Sequence, residues 1–274
     1  MSRLTPVKIM GILNATPDSF YDGGKYGRAG DALKRAEEMV EEGAEILDVG
    51  GESSRPGAGP VPVEEECGRV VPLVRVLARK FPKIPVSIDT RKSEVAYRCL
   101  SEGARIINDI SALQSDPKML EAAFRFKPRV VMMHMRGDPE TMQKHARYGN
   151  VVAEVKKFLS ERVDWAVSRG VERKKIIVDP GIGFGKTTGH NLGLLRGLKS
   201  FLSIGCPVLV GCSRKSFIGT VLRRGNAPLP PGERLEGSLA CALWSYLEGA
   251  SILRVHDVGP TRNVIQMVQA IEAA

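Results

Sequence analysis

The sequence predicts an α/β fold closed into a (β/α)8 barrel, and three observations carry the prediction. Eight short apolar runs alternate along the chain with longer amphipathic stretches, and strict strand-then-helix alternation implies a parallel sheet with right-handed crossovers. The 274 residues sit near the roughly 250 typical of one such barrel. No glycine-rich dinucleotide fingerprint follows the first strand, which disfavours an open doubly wound sheet. With no internal repeat, low-complexity tract or linker to divide the chain, a single domain over residues 1–274 is expected.

The elements follow in order. Residues 7–13 read as the first strand. Residues 31–42 have helical spacing, with Ala32, Ala36, Met39 and Val40 on one face and Gly43 as the stop. A strand at 45–49 precedes a helical stretch at 63–80, which Pro72 is expected to kink or split. Strands at 85–88, 105–108 and 129–134 alternate with helices at 93–101, 117–126 and 151–168. The last units pair strands at 175–178, 207–210 and 252–255 with helices at 191–203, 233–248 and 260–271, Pro260 standing in the first turn of the last. The segments around 14–30, 50–62, 134–149 and 224–232 are long for strand-to-helix loops, and long loops on one rim commonly carry function.

Polar residues end every one of these strands: Asn14, Asp48, Asp89, Asn108-Asp109, His134 and Asp179, then Ser213-Arg214-Lys215 and Arg254 with His256. In a barrel all strand C-termini meet on the rim where active sites sit. A strand leaving a core can end in a polar residue for no functional reason, but that explanation covers one or two positions better than all eight. Asp48, Asp89, Asp179 and Asn108 offer acceptors to a planar N–H edge. Lys215, Arg254 and His256 come from the last two units, the usual phosphate side of a barrel. The pattern predicts a flat heterocycle on one side of the rim and a phosphorylated group on the other.

Composition narrows the alternatives. The net charge of +9 admits a nucleic-acid binder, but the basic residues form no tight tract and aromatic residues make up only 5%, so the interleaving expected of such a binder is missing. Five cysteines at 67, 99, 206, 212 and 241, with no Cys-x-x-Cys, point to reduced thiols in a cytoplasm rather than a disulfide framework or zinc site. No apolar run approaches the roughly 20 residues that span a bilayer, and the N-terminus has too short an apolar core for a signal peptide. Neither membrane nor nucleic-acid partners are expected.

Several motifs sharpen the outline: NATPDSFYDGG (14–24), GGESSRPGA (50–58), SIDT (87–90), IND (107–109), MHM (133–135), DPGIGFGKT (179–187), GCSRKSFIG (211–219), GSLA (237–240) and RVHDV (254–258). Gly-Phe-Gly-Lys-Thr superficially suggests a phosphate-binding loop, but the glycine required six residues before Lys186 is Pro180. Together, in this order and across nearly the whole chain, the motifs resemble the dihydropteroate synthases, a family of pterin-binding barrel enzymes. The resemblance implies joining of p-aminobenzoate to a dihydropterin carried as its diphosphate ester. It implies that Asp89, Asn108, Asp179 and Lys215 hold the pterin ring, with Met133 and the Gly211 region lining its slot and Asp48 among the substrate-binding groups; Lys215, Asp89 and Asp179 are the expected catalytic set. Asn14 would bind Mg2+ together with diphosphate oxygens, and Arg254 and His256 would receive the anion, with Arg55 from the second loop near it. Phe20, Ser53, Ser54, Phe184, Ser213 and Lys215 would border the p-aminobenzoate pocket; Ser54 stands where the family usually has Thr, keeping the hydroxyl and losing a methyl.

Other roles are read more blandly. Phe184 alone would pass for core, although Gly183 and Gly185 beside it favour an exposed loop. Cys212 has no visible base and reads as inert, His134 fits a base or a packed structural histidine equally, and His145 and His190 are assigned no role. A methyltetrahydrofolate-corrinoid methyltransferase would share the barrel and the ring-binding Asp and Asn residues, but it needs no diphosphate site. The resemblance also implies a homodimer, with the last helices as plausible contact surfaces.

Overall fold

The structure is a computed structural model that describes residues 6–15, 29–53 and 57–274. Eight strands alternate with helices: β1 (Lys8–Asn14), β2 (Ile46–Gly50), β3 (Val86–Asp89), β4 (Ile106–Asp109), β5 (Arg129–Met133), β6 (Ile176–Asp179), β7 (Leu209–Val210) and β8 (Ile252–Val255). The order around the sheet is β6-β5-β4-β3-β2-β1-β8-β7. Every strand ladder is parallel, and a single bridge, Val178 to Val208, joins the two outer strands. This is the expected (β/α)8 barrel.

The period of two along a strand sorts its side chains into two sets. Ile9, Leu47, Ile88, Ile107, Val130, Val178 and Leu253 face outward into the main core with the helices. Met10, Ile46, Ile106, Val131, Ile177, Leu209 and Ile252 face inward and form a separate apolar plug across the barrel. Two residues further along each of these strands, on the same inward face, stand Ile12, Asp48, Asn108, Met133, Asp179, Gly211 and Arg254. The plug is thus the floor on which the polar rim is built.

The helices are α1 (Ala29–Glu41), α2 (Val63–Lys80), α3 (Ser93–Ser101), α4 (Met119–Phe126), α5 (Val151–Ser168), α6 (Thr188–Arg196), α7 (Ser216–Val221), α8 (Leu235–Leu247) and α9 (Val258–Ala273). Pro72 neither splits nor ends α2. It lies on the exposed face, as does Gly68, whose carbonyl loses its helical donor there and can turn to water. The stretch expected as one helix over 191–203 is α6 followed, after Gly197, by a 3-10 turn over Leu198–Ile204. Strand β7 is shorter than expected, and α7 follows it where no helix was foreseen. All five cysteines are free thiols, and among the described residues no helix is long and apolar enough to cross a membrane.

Candidate active site

Arg254 is the hub of the rim. From β8 it donates through Nε to Asp48 Oδ2 at 2.6 Å and through Nη2 to Asp89 Oδ2 at 2.7 Å. Asp48 is fully buried, and its Oδ2 also accepts from Asn108 Nδ2 at 3.1 Å. Its Oδ1 is buried with no hydrogen-bond partner among the described residues. Burial pushes the Asp89 carboxyl up to about 7, with the Arg254 charge opposing and Asp48 reinforcing the shift. Four strands therefore contribute one connected polar cluster: Asp48, Asp89, Asn108 and Arg254.

Asp179 and Lys215 form the second part. Asp179 is buried, and its Oδ1 accepts from Gly181 N at 2.7 Å. Burial raises its pKa, while Lys215, the Gly181 hydrogen bond, Arg254 and Lys186 act against the rise. Burial brings the Lys215 ammonium down to about 8, and Asp179 opposes that fall most strongly. The Lys215 Nζ donates to the carbonyl of Ile182 and lies 4.5 Å from the Phe184 ring centroid. Phe184 is itself buried, beside Met133, Ile110 and Met142. Glycine is required in the loop that carries these contacts. At Gly181, φ is +69° and a Cβ would fall 1.9 Å from the His134 carbonyl oxygen; at Gly183, φ is +86° and a Cβ would fall 2.9 Å from Lys215 Cδ.

The third part lies after β7 and β8. Ser213 Oγ accepts from His256 N at 3.2 Å and stands 3.0 Å from His256 Nδ1. Next to it, Arg214 takes a positive φ of 57° and donates a fork to both oxygens of Asp257, at 2.8 and 2.7 Å. This fork clamps the Ser-Arg-Lys turn to the loop after β8, and hence Lys215 to the Arg254 strand. Neither Arg214 nor Asp257 was assigned a role from sequence, although both stand inside the quoted motifs. Asn14, at the end of β1, is half-buried, and its side chain makes no hydrogen bond to a described residue. Ser54, Arg55 and Phe20 lie outside the described residues.

Two sequence-level ambiguities resolve. His134 is buried, meets the Phe158 ring edge-on at 4.9 Å, and is driven by burial and by the Lys186 charge down to about 3. It is a packed neutral histidine. The Cys212 thiol is buried, and its pKa is raised by its contact with Cys241 and by burial, which leaves it a poor nucleophile. Asp109, which faces away from the barrel interior, shapes the loop after β4 by accepting from Ser111 and Leu113.

A (β/α)8 barrel whose strand ends gather buried carboxylates and an amide with lysine, arginine and histidine on one rim has the architecture of a barrel enzyme for a small polar substrate. The chain belongs to the pterin-binding enzyme family, whose model matches residues 10–256. It is 47% identical over 266 residues to the dihydropteroate synthase of Escherichia coli K12, covering 97% of this chain and 92% of that protein. Among solved structures it is similar to Xanthomonas albilineans dihydropteroate synthase with 4-aminobenzoic acid (TM-score 0.91, 42% identity, covering 98% and 94% of the two chains). It is also similar to that organism's enzyme in complex with 7,8-dihydropteroate (TM-score 0.87, 39% identity, covering 98% and 95%).

Proposed function

We propose that the chain catalyses the dihydropteroate synthase step of folate biosynthesis: 6-hydroxymethyl-7,8-dihydropterin diphosphate and p-aminobenzoate give 7,8-dihydropteroate and diphosphate. The carrying observation is the meeting of Asp179 and Lys215 with the Asp48–Arg254–Asp89 cluster on one rim of the barrel, within a chain related along nearly its whole length to such enzymes. Asp179 and Asn108 supply acceptors to the amino-pyrimidinone edge of the pterin, and Lys215 donates to a ring carbonyl or nitrogen. Met133 and Gly211 line the slot. Phe184, Ser213 and the Lys215 stem border p-aminobenzoate. His256 and Arg254 face the departing anion.

The reaction is a substitution at the methylene carbon. The C–O bond to diphosphate breaks, with its electron pair leaving on the diphosphate, and the amine lone pair forms the new C–N bond. The amine proton is then released to solvent, so no strong general base is required. The site's main task is to stabilise charge that separates as the bond breaks. Positive charge spreading into the dihydropterin faces Asp179 and Asp89, and negative charge on the diphosphate faces Arg254, His256 and Lys215.

Mg2+ fits the Asn14 position. A neutral amide oxygen that makes no hydrogen bond to a described residue suits an ion that keeps most of its shell as water and phosphate oxygens. When bound, the metal would supply charge neutralisation on the diphosphate. A homodimer and a cytoplasmic location belong to the same reading. The dimer is supported by exposed apolar side chains on the late helices, among them Val221, Leu222, Trp244 and Leu247; the location is supported by the free thiols. Incubation with the pterin diphosphate, p-aminobenzoate and Mg2+ tests the assignment: dihydropteroate and diphosphate should form together, and their absence would reject it.

A further inference from the structure

Lys186 is the group that the reaction, as read above, leaves unused. Its side chain is 3% exposed, and no carboxylate forms a salt bridge with it among the described residues. Its Nζ lies 2.9 Å from the Phe184 carbonyl oxygen, 3.3 Å from the His134 carbonyl oxygen and 3.0 Å from His134 Nδ1. Burying a lysine on neutral partners is costly, and burial brings this one down to about 7, with Asp179 opposing and Lys215 and Arg136 adding to the fall.

The three partners suit either protonation state. As an ammonium, Lys186 has three donors for two carbonyls and an accepting Nδ1. As an amine, it has two donors for the same carbonyls and one lone pair for a donating Nδ1–H, since neutral histidine exists in both tautomers. Both states hold the same two carbonyls, one from the loop after β5 and one from the loop after β6. The second loop is held from elsewhere as well: Tyr148 donates to the Gly185 carbonyl at 3.1 Å, and Gly183 N donates to Asn191 Oδ1 at 2.7 Å. On its other side this loop presents the Ile182 carbonyl and the Phe184 ring to Lys215.

We propose that Lys186 is a positioning residue: it clamps the two loops from beneath and so sets the Phe184 ring and the Ile182 carbonyl that orient Lys215 beside the p-aminobenzoate subsite. The proposal rests on the dihydropteroate synthase reading. Lys215 also serves the pterin, but the other pterin contacts, Asp179 and Asn108, lie on strands rather than on the clamped loop, whereas Phe184 on that loop borders p-aminobenzoate, so the p-aminobenzoate side should respond more strongly.

The test is steady-state kinetics of Lys186→Met in the full chain, with both substrates varied. The expected result is a KM for p-aminobenzoate raised by about tenfold or more, with the KM for the pterin diphosphate moved less than about threefold. A double-mutant cycle with Phe184→Leu should show strong non-additivity, because Lys186 acts through that ring. If Lys186→Met yields no folded protein, Lys186→Gln, which keeps amide donors, takes its place in both measurements. Equal KM changes for both substrates, no KM change, or additive effects in the cycle would overturn the clamp. A wild-type chain that forms no dihydropteroate would instead reject the underlying reading.

Discussion

Replacing Arg254 by Met keeps most of the side-chain volume and removes the charge that ties the rim together. In the native arrangement one guanidinium serves two carboxylates at 2.6 and 2.7 Å. The Asp48 side chain is fully buried and that of Asp89 keeps 12% of its surface exposed. Removing one partner of a buried ion pair costs about 3–5 kcal/mol, because the remaining charge is stranded. Arg254 retains 18% exposure, so the lower end, about 3 kcal/mol, is expected in urea denaturation. The pH dependence follows from Asp89. Its pKa in the fold, about 7, already exceeds the ordinary carboxylate value, so its ionisation disfavours the fold and stability falls as pH rises towards that value. Without Arg254 the folded pKa rises further and the fall continues to higher pH. The deficit of the variant should therefore be larger at pH 8 than at pH 6, by up to about 1.4 kcal/mol, the full difference being reached once the additional rise is one unit. A loss below about 0.5 kcal/mol, or a deficit that shrinks towards pH 8, would refute the view that Arg254 compensates these carboxylates.

Two further outcomes concern substrate directly. Asp179→Asn should weaken pterin diphosphate binding by on the order of 1.5–3 kcal/mol in calorimetry, the range for hydrogen bonds to charged groups; unchanged affinity would remove Asp179 from the ring edge. Lys215→Ala should nearly abolish diphosphate release. Because the buried Lys215 loses its proton at about 8 rather than at the ordinary lysine value, kcat/KM for the pterin substrate should decline above about that pH, and a profile flat to pH 10 would argue against its donor role.

Much of this site was readable from alternation alone. Once a strand's apolar plug residue is identified, the inward position two residues later is fixed: Ile46 leads to Asp48, Ile106 to Asn108, Ile177 to Asp179 and Ile252 to Arg254. Strand periodicity is local, so it survives without coordinates. What alternation does not carry is the pairing between side chains from different loops. The Arg214–Asp257 fork joins residues 43 positions apart, and the Lys186 clamp joins residues 52 apart. Both depend on backbone turned by positive φ at Arg214, Gly181 and Gly183. Likewise, the tolerance of Pro72 depends on which face of α2 meets water, which a proline rule alone does not encode.

The charge balance of the pocket also revises how the anion is received. Sequence reading set three carboxylates against a cationic cluster, as though the cations were free for phosphate. The structure instead commits Arg254 to Asp48 and Asp89 and places Asp179 in the field of Lys215. A multiply charged diphosphate entering there meets cations whose charge is already largely offset by carboxylates. On the function proposed above, positive charge arriving with the ligand would favour binding there, which is the physical case for the proposed Mg2+ at Asn14. Calorimetric titration of the pterin diphosphate with and without Mg2+ should show affinity falling by about tenfold or more when the metal is withheld. Asn14→Ala should raise the Mg2+ concentration needed for half-maximal binding while leaving affinity for the diphosphate-free hydroxymethyl-dihydropterin unchanged. Affinity for the diphosphate ester that ignores Mg2+ would mean that the protein's own cations suffice, and Arg254 would then have to exchange its carboxylates for phosphate on binding.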